Sequence, residues 1–167
     1  MSDILKNSNG NQKISLNKCF EKKYSKEKSI IKNFYDKCAN CHEKSNLLFR
    51  NQIFLSPKIL VIILDDVKQK KNYLHLSFKL DINEYLIENN KGYELIGIIT
   101  YFKEKGMNEQ YFSYCKNEED EKWYCFCDDC IYDVNNELEK DIDKLNRWPY
   151  ILFYNEIAIN NYDKLIN

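Results

Sequence analysis

Cysteine is the residue type here with the most chemistry to offer, and it clusters twice. The first cluster is CANCH, in which Cys38 and Cys41 are followed directly by His42. A C-x-x-C-H run is the pattern for covalent haem attachment, half of a zinc site, or a plain pair of reduced thiols. Haem attachment needs an export pathway and usually a second axial ligand, and the sequence points to neither. Zinc needs four ligands, normally from two CxxC pairs at the tips of a β-finger. Cys19 or His42 could supply a third ligand beside Cys38 and Cys41, and a metal-free pair stands next to that reading.

The second cluster is CFCDDC, with Cys125, Cys127 and Cys130. If this stretch is a strand, Cys125 and Cys127 share a face, and with Cys115 the run could bind a soft metal. Cysteine is also a small hydrophobe that accumulates in cores, and this is the preferred reading. His75, in LHLSF, could pair with a thiol as a rewired base, although a lone strand histidine is more often structural. The acidic run KNEEDEK, residues 116–122, reads as a solvated hairpin tip.

These residues must be positioned by a single domain, because 167 residues are too few for two comfortable cores. With 44% hydrophobic, 14% aromatic and 31% charged residues, the chain should fold. The net charge of −1 and pI near 6.2 favour neither nucleic acid nor an anionic membrane. The longest apolar run, ILVIIL, falls far short of the roughly 20 residues that span a bilayer, and the start has no signal-peptide core. Seven cysteines without an export signal favour reduced thiols or metal ligands, which fits the cytoplasm or nucleus.

Residues 1–13 are polar and expected to be flexible, 14–155 to form the domain, and 156–167 to be a tail. ISLNKCFEKKYSKE spaces Leu16 and Phe20 for a short amphipathic helix. PKILVIIL is apolar on both faces and predicts a central, buried strand. LHLSFKL (74–80), YELIGIITYF (93–102), QYFSYCK (110–116), KWYCFC (122–127) and YILFY (150–154) predict further strands. Leu138, Ile142 and Leu145 recur at helical spacing before the last of them. The class is α+β, a mostly antiparallel sheet with short helices.

The order and spacing of these segments resemble the C-terminal half of the catalytic domain of ubiquitin-specific proteases, the papain-like deubiquitinases, from about Ile14 to Tyr154. ISLNKCFEKKYSKE, DKCANC and LSPKILVIIL are similar to the family's helical segment, finger CxxC and buried strand. FKLDINEYL resembles Phe-Pro-x-x-Leu-Asp-Leu, and YELIGIIT resembles Tyr-x-Leu-x-Gly-Val-Ile. QYFSYCK, then Trp123-Tyr124-x-Phe126 with Asp128, Ile131 and Val134, then YILFY, resemble Gly-His-Tyr-x-Ala-Tyr, Trp-x-x-Phe-Asp-Asp-x-x-Val-x-x-Val and Ala-Tyr-x-Leu-Phe-Tyr.

The resemblance implies a thiol hydrolase fold, and the departures fall where the chemistry would be. Such an enzyme needs a thiolate, a histidine that activates it and a group that orients the histidine. Nothing in the chain matches the family's Asn-x-Gly-Asn-Thr-Cys-Tyr nucleophile box. The histidine position, immediately before Tyr111, is Gln110, and glutamine cannot act as a base. Counting from Trp123, Ile131 and Val134 places the acid position at Cys127, with Asp128 adjacent. The same alignment puts Gln110 and Cys127 on neighbouring strands at one end of the sheet. The basic Leu-Lys-Arg-Phe stretch of the family has become Leu64-Asp65-Asp66-Val67, and its first finger CxxC would fall before Ile14, where there is no cysteine.

The resemblance therefore implies the palm-and-finger half of such a domain, catalytically inactive, acting as a module that binds ubiquitin or a ubiquitinated protein. Tyr111, Trp123 and Phe126 would lie near the remnant of the ubiquitin-tail channel. An active deubiquitinase would follow if the Cys-box half were supplied elsewhere. A structural metal protein, with zinc on Cys38 and Cys41, is the further alternative; otherwise no cofactor is expected.

Overall fold

The computed structural model describes residues 14–24, 29–31, 40–42, 47–49, 51–64, 74–87, 91–134 and 137–158. The short strand β1 (Ile14–Ser15) leads directly into helix α1 (Leu16–Lys23). Ser15 starts the helix by accepting a hydrogen bond from the Lys18 amide, 3.4 Å away, which satisfies one of the free donors of the first turn. Leu16 is fully buried, and Phe20 stacks on Tyr24 and Tyr85 at 5.9 and 6.0 Å, so the apolar stripe seen in the sequence anchors the helix.

The remaining strands are β2 (Ser29–Ile31), β3 (Leu47–Phe49), β4 (Ile59–Ile63), β5 (Leu74–His75), β6 (Lys79–Asp81), β7 (Lys91–Phe102), β8 (Gln110–Lys116), β9 (Trp123–Cys127), β10 (Cys130–Asp133) and β11 (Trp148–Ala158). A short 3-10 turn, Asn83–Tyr85, follows β6, and helix α2 (Leu138–Lys144) precedes β11. Seven strands form the main sheet in the order β10-β9-β8-β7-β11-β4, with β6 also paired to β7, and its pairings are antiparallel. β2 pairs with β3, and β1 lies parallel to β5.

The core lies on the inner face of this sheet, under α1 and α2. Ile98, Phe112, Tyr114, Trp123, Cys125, Leu152 and Tyr154 point into it and meet Leu16, Leu138 and Ile142 from the helices. Two irregularities between β7 and β11 keep both long strands aligned with this face. Tyr150 is an extra residue on β11, and Ile96 is one on β7. Each bulge reverses the alternation, so Tyr93 and Leu95 on one side of Ile96 and Ile98 on the other are all buried.

Two sequence expectations change. The PKILVIIL strand, expected to be central and buried, is β4, at the edge of the sheet among the described residues. Only Ile62 of it is buried; Ile59, Val61 and Ile63 are 44 to 54% exposed. An apolar run with period 2 shows two apolar faces but not whether both are covered. LHLSFKL is not one strand but β5 and β6, separated at residues 76–78, where Leu76 turns into the core. The 116–122 hairpin tip is exposed and closed by the Asn117 amide on the Lys122 carbonyl at 2.9 Å. No described helix is long and apolar enough to cross a membrane.

Candidate functional site

The ladder between β8 and β9 fixes the geometry of the candidate site. Tyr114 stands opposite Cys125 and Ser113 opposite Phe126. Because directly opposed residues share a face, Phe112 and Tyr114 on β8 lie on the same inner face as Trp123, Cys125 and Cys127 on β9. Gln110, two residues before Phe112, has the parity of that face and opens β8, while Cys127 closes β9. The two positions thus come to one end of neighbouring strands, on one side of the sheet. Gln110 is exposed and Cys127 half-buried.

Tyr111 and Phe126 belong to the opposite, outer face. Tyr111 packs beside Tyr101 and Tyr150, with ring centres 5.5 and 6.0 Å apart, and remains half exposed. Phe126 lies on the surface across from Ile131. Trp123 is instead turned into the core, 5% exposed and edge-on to Phe78, so it shares no surface with the other two. Asp128 sits in the turn after Cys127 with φ of 45°, outside the strand and exposed.

The strongest electrostatic feature near this end of the sheet is one that the sequence did not announce. Arg147 places its guanidinium 3.6 Å over the Phe112 ring. Its Nη1 donates to the hydroxyls of Tyr114 and Tyr132, the latter at 2.9 Å, and approaches Cys125 Sγ at 3.3 Å. Both tyrosines donate onward to Asp141 Oδ2, at 2.8 and 3.3 Å, and Asp141 lies 3.7 Å from Arg147 itself. Arg147 is 10% and Asp141 22% exposed, and among the described residues no buried side-chain nitrogen or oxygen lacks a partner, the condition under which a largely buried cation is tolerated. Burial pushes the Tyr114 hydroxyl well above the usual tyrosine range and the Tyr132 hydroxyl up to about 12.

Local backbone chemistry explains how Arg147 gets there. The amides of Asn146 and Arg147 return to the carbonyls of Asp143 and Ile142 at the end of α2, and Asn146 takes φ of 51°. This is a Schellman cap, with asparagine tolerating the left-handed position that glycine usually fills. It reverses the chain and sends Arg147 under the sheet. The clue in the sequence is thin: a chain with only two arginines among its 25 basic residues spends one of them just past a helix.

The cysteines separate by environment. Cys125 is fully buried in the core, Cys127 half-buried, and Cys115 and Cys130 exposed. Among the described residues no three metal-binding side chains converge, and Cys115, Cys125, Cys127 and Cys130 are no exception. Cys38 lies outside the described residues; Cys41 and His42 are exposed, and Cys19 is half-buried on α1. Burial raises the Cys127 thiol pKa, and the neighbouring Asp128 charge raises it further. His75 has found a carboxylate, with Nδ1 3.2 Å from Glu139 Oε1.

Comparison with known proteins agrees with this architecture. Ubiquitin carboxyl-terminal hydrolase 15 of rat and of human are each 29% identical to this chain over 153 residues, covering 84% of it but 15% of their own length. A chain of the SAGA DUB module of Ubp8, Sgf11, Sus1 and Sgf73, solved with ubiquitin aldehyde, superimposes with a TM-score of 0.66 at 21% identity. A second structure of that module, with monoubiquitin, gives 0.65 at 21%. Both comparisons cover 89% of this chain and 34% of the solved one, so the chain spans about a third of the length of the solved chains it matches. The family model described as ubiquitin carboxyl-terminal hydrolase matches residues 4–154. With most of its length matched in this way, the chain belongs to the ubiquitin carboxyl-terminal hydrolase family.

Proposed function

We propose that this chain is a non-catalytic, ubiquitin-binding part of a ubiquitin-specific-protease-like domain, working in the cytoplasm or nucleus. The observation that carries the reading is Gln110 at the head of β8. Under the family alignment this position belongs to the histidine that takes a proton from the nucleophile, and an amide has no usable pKa for that task. Cys127 stands at the acid position on the same face. A thiol held protonated by burial and by the Asp128 charge cannot supply the anion that would orient a histidine.

Binding can outlast catalysis because it draws on surface shape and apolar area rather than on three aligned groups. The solved relatives bound to ubiquitin aldehyde and to monoubiquitin support ubiquitin as the partner. The test is a titration of isotope-labelled ubiquitin with the purified chain. The reading expects saturable resonance shifts with a dissociation constant tighter than about 1 mM, equivalent to roughly 4 kcal/mol. Unchanged ubiquitin spectra at that concentration would remove the binding half of the proposal.

A further inference from the structure

Cys127 and Cys130 are direct partners in the β9–β10 ladder, joined by the two-residue turn Asp128-Asp129. No other described cysteine faces a second cysteine in the strand registers: Cys125 opposes Tyr114 and Tyr132, and Cys115 opposes Gly97 and Tyr124. Cα atoms of a hydrogen-bonded antiparallel pair sit about 5.5 Å apart, near the middle of the range a disulfide spans. Opposed side chains share a face, with Cβ atoms near 5.5 Å apart in a hydrogen-bonded pair, so closing the bond asks for a shift of about 1–2 Å. The tip can give that much, because Asp128, Asp129 and Cys130 are all exposed.

We propose that Cys127 and Cys130 are a redox-modification site, a dithiol that low-molecular-weight disulfides of the glutathione type convert to an intramolecular disulfide across the β9–β10 turn. The exposed Cys130 thiolate attacks one sulfur of the small disulfide, forming a mixed disulfide and releasing one small thiolate. Cys127 loses its proton to solvent, attacks the Cys130 sulfur of that intermediate and expels the second small thiolate. Two protein thiols are oxidised, one small disulfide is reduced to two thiols, and nothing else is consumed. Burial and the Asp128 charge raise the Cys127 thiol pKa, so this second step accelerates as pH rises. Cys125, fully buried and held against Arg147, takes no part. The inference rests on strand register alone and stands whether or not the chain binds ubiquitin.

The test equilibrates the purified chain with graded mixtures of reduced and oxidised glutathione, quenches with acid, unfolds and alkylates it, and sequences the tryptic peptide of residues 123–140 by mass spectrometry. The expected product has lost two hydrogens between Cys127 and Cys130, with Cys125 alkylated, and reducing agent reverses it. The Cys125→Ser variant should behave identically. The folded chain should form this bond at least about tenfold more favourably than the same chain in concentrated urea, where the loop must first be closed by chance. Alkylation of both Cys127 and Cys130 throughout the series would overturn the proposal. So would glutathione lodged on Cys130 without closure, a bond to any other cysteine, or equal oxidation of the folded and urea-unfolded chains.

Discussion

Arg147 lies with its guanidinium 3.6 Å from the centre of the Phe112 ring, although 35 residues separate them in sequence. Together with its bonds to Tyr114 and Tyr132, this contact ties the turn after α2 to strands β8 and β10 and stiffens the inner face leading to Gln110 and Cys127. Removing the side chain would leave Asp141 without its cation and Phe112 without its cover. Arg147→Ala should therefore destabilise the chain by about 3 kcal/mol in urea unfolding. Arg147→Lys should recover less than half of that, because an ammonium cannot reproduce the planar fork.

The two faces of the sheet should respond differently to truncation. Leu152 is fully buried on the inner face, and Leu152→Ala should cost about 3 kcal/mol in the same assay. Ile63, on the outer face of β4, is 54% exposed, and Ile63→Ser should change stability by no more than about 0.5 kcal/mol. Equal losses at the two positions would contradict the exposure of the outer face of β4.

Most of the frame was legible in the sequence, since β7, β8, β9 and α2 fall within a residue or two of the segments marked by alternation and helical spacing. What was not legible depended on which partner a segment meets rather than on its own pattern. β10, Cys130–Asp133, is four residues of mixed polarity whose strand character comes from pairing with β9. The edge position of β4 is a matter of which neighbours arrive, and an apolar run looks the same with one neighbour or two. The alignment brought Gln110 and Cys127 to one end of the sheet because strand parity is rigid. Arg147 escaped notice because its partners are a ring, two hydroxyls and a thiol on three different strands, and no spacing rule links them.

Alkaline pH should test the tyrosine network. Burial raises the hydroxyl pKa of Tyr114 and takes that of Tyr132 from the ordinary 10.0 to about 12, so the folded state keeps protons that the unfolded chain releases. The stability this contributes is fully present below about pH 10 and is lost as pH rises towards about 12. The urea midpoint should fall steeply over that interval, and Tyr132→Phe should make the fall shallower.

The CANCH run offers a separate test, of metal. If Cys38 and Cys41 are a metal-free pair, purified protein should carry well under one zinc per chain, and chelation should leave the melting temperature unchanged. A structural zinc would contribute directly to folding, so its removal would lower that temperature. Stoichiometric zinc lost in Cys38→Ser or Cys41→Ser would show a working finger.

The proposed absence of catalysis is tested most directly by incubating the chain with a ubiquitin probe that carries a C-terminal electrophile and weighing the intact product. Capture of such a probe needs a poised thiolate, and an ordinary thiol with a pKa near 8.5 is only a few per cent ionised at neutral pH. No adduct should form on the chain, and none after Gln110→His. A single cysteine labelled by the probe, with labelling lost in His75→Ala, would contradict this expectation and identify a protease rebuilt around a different histidine.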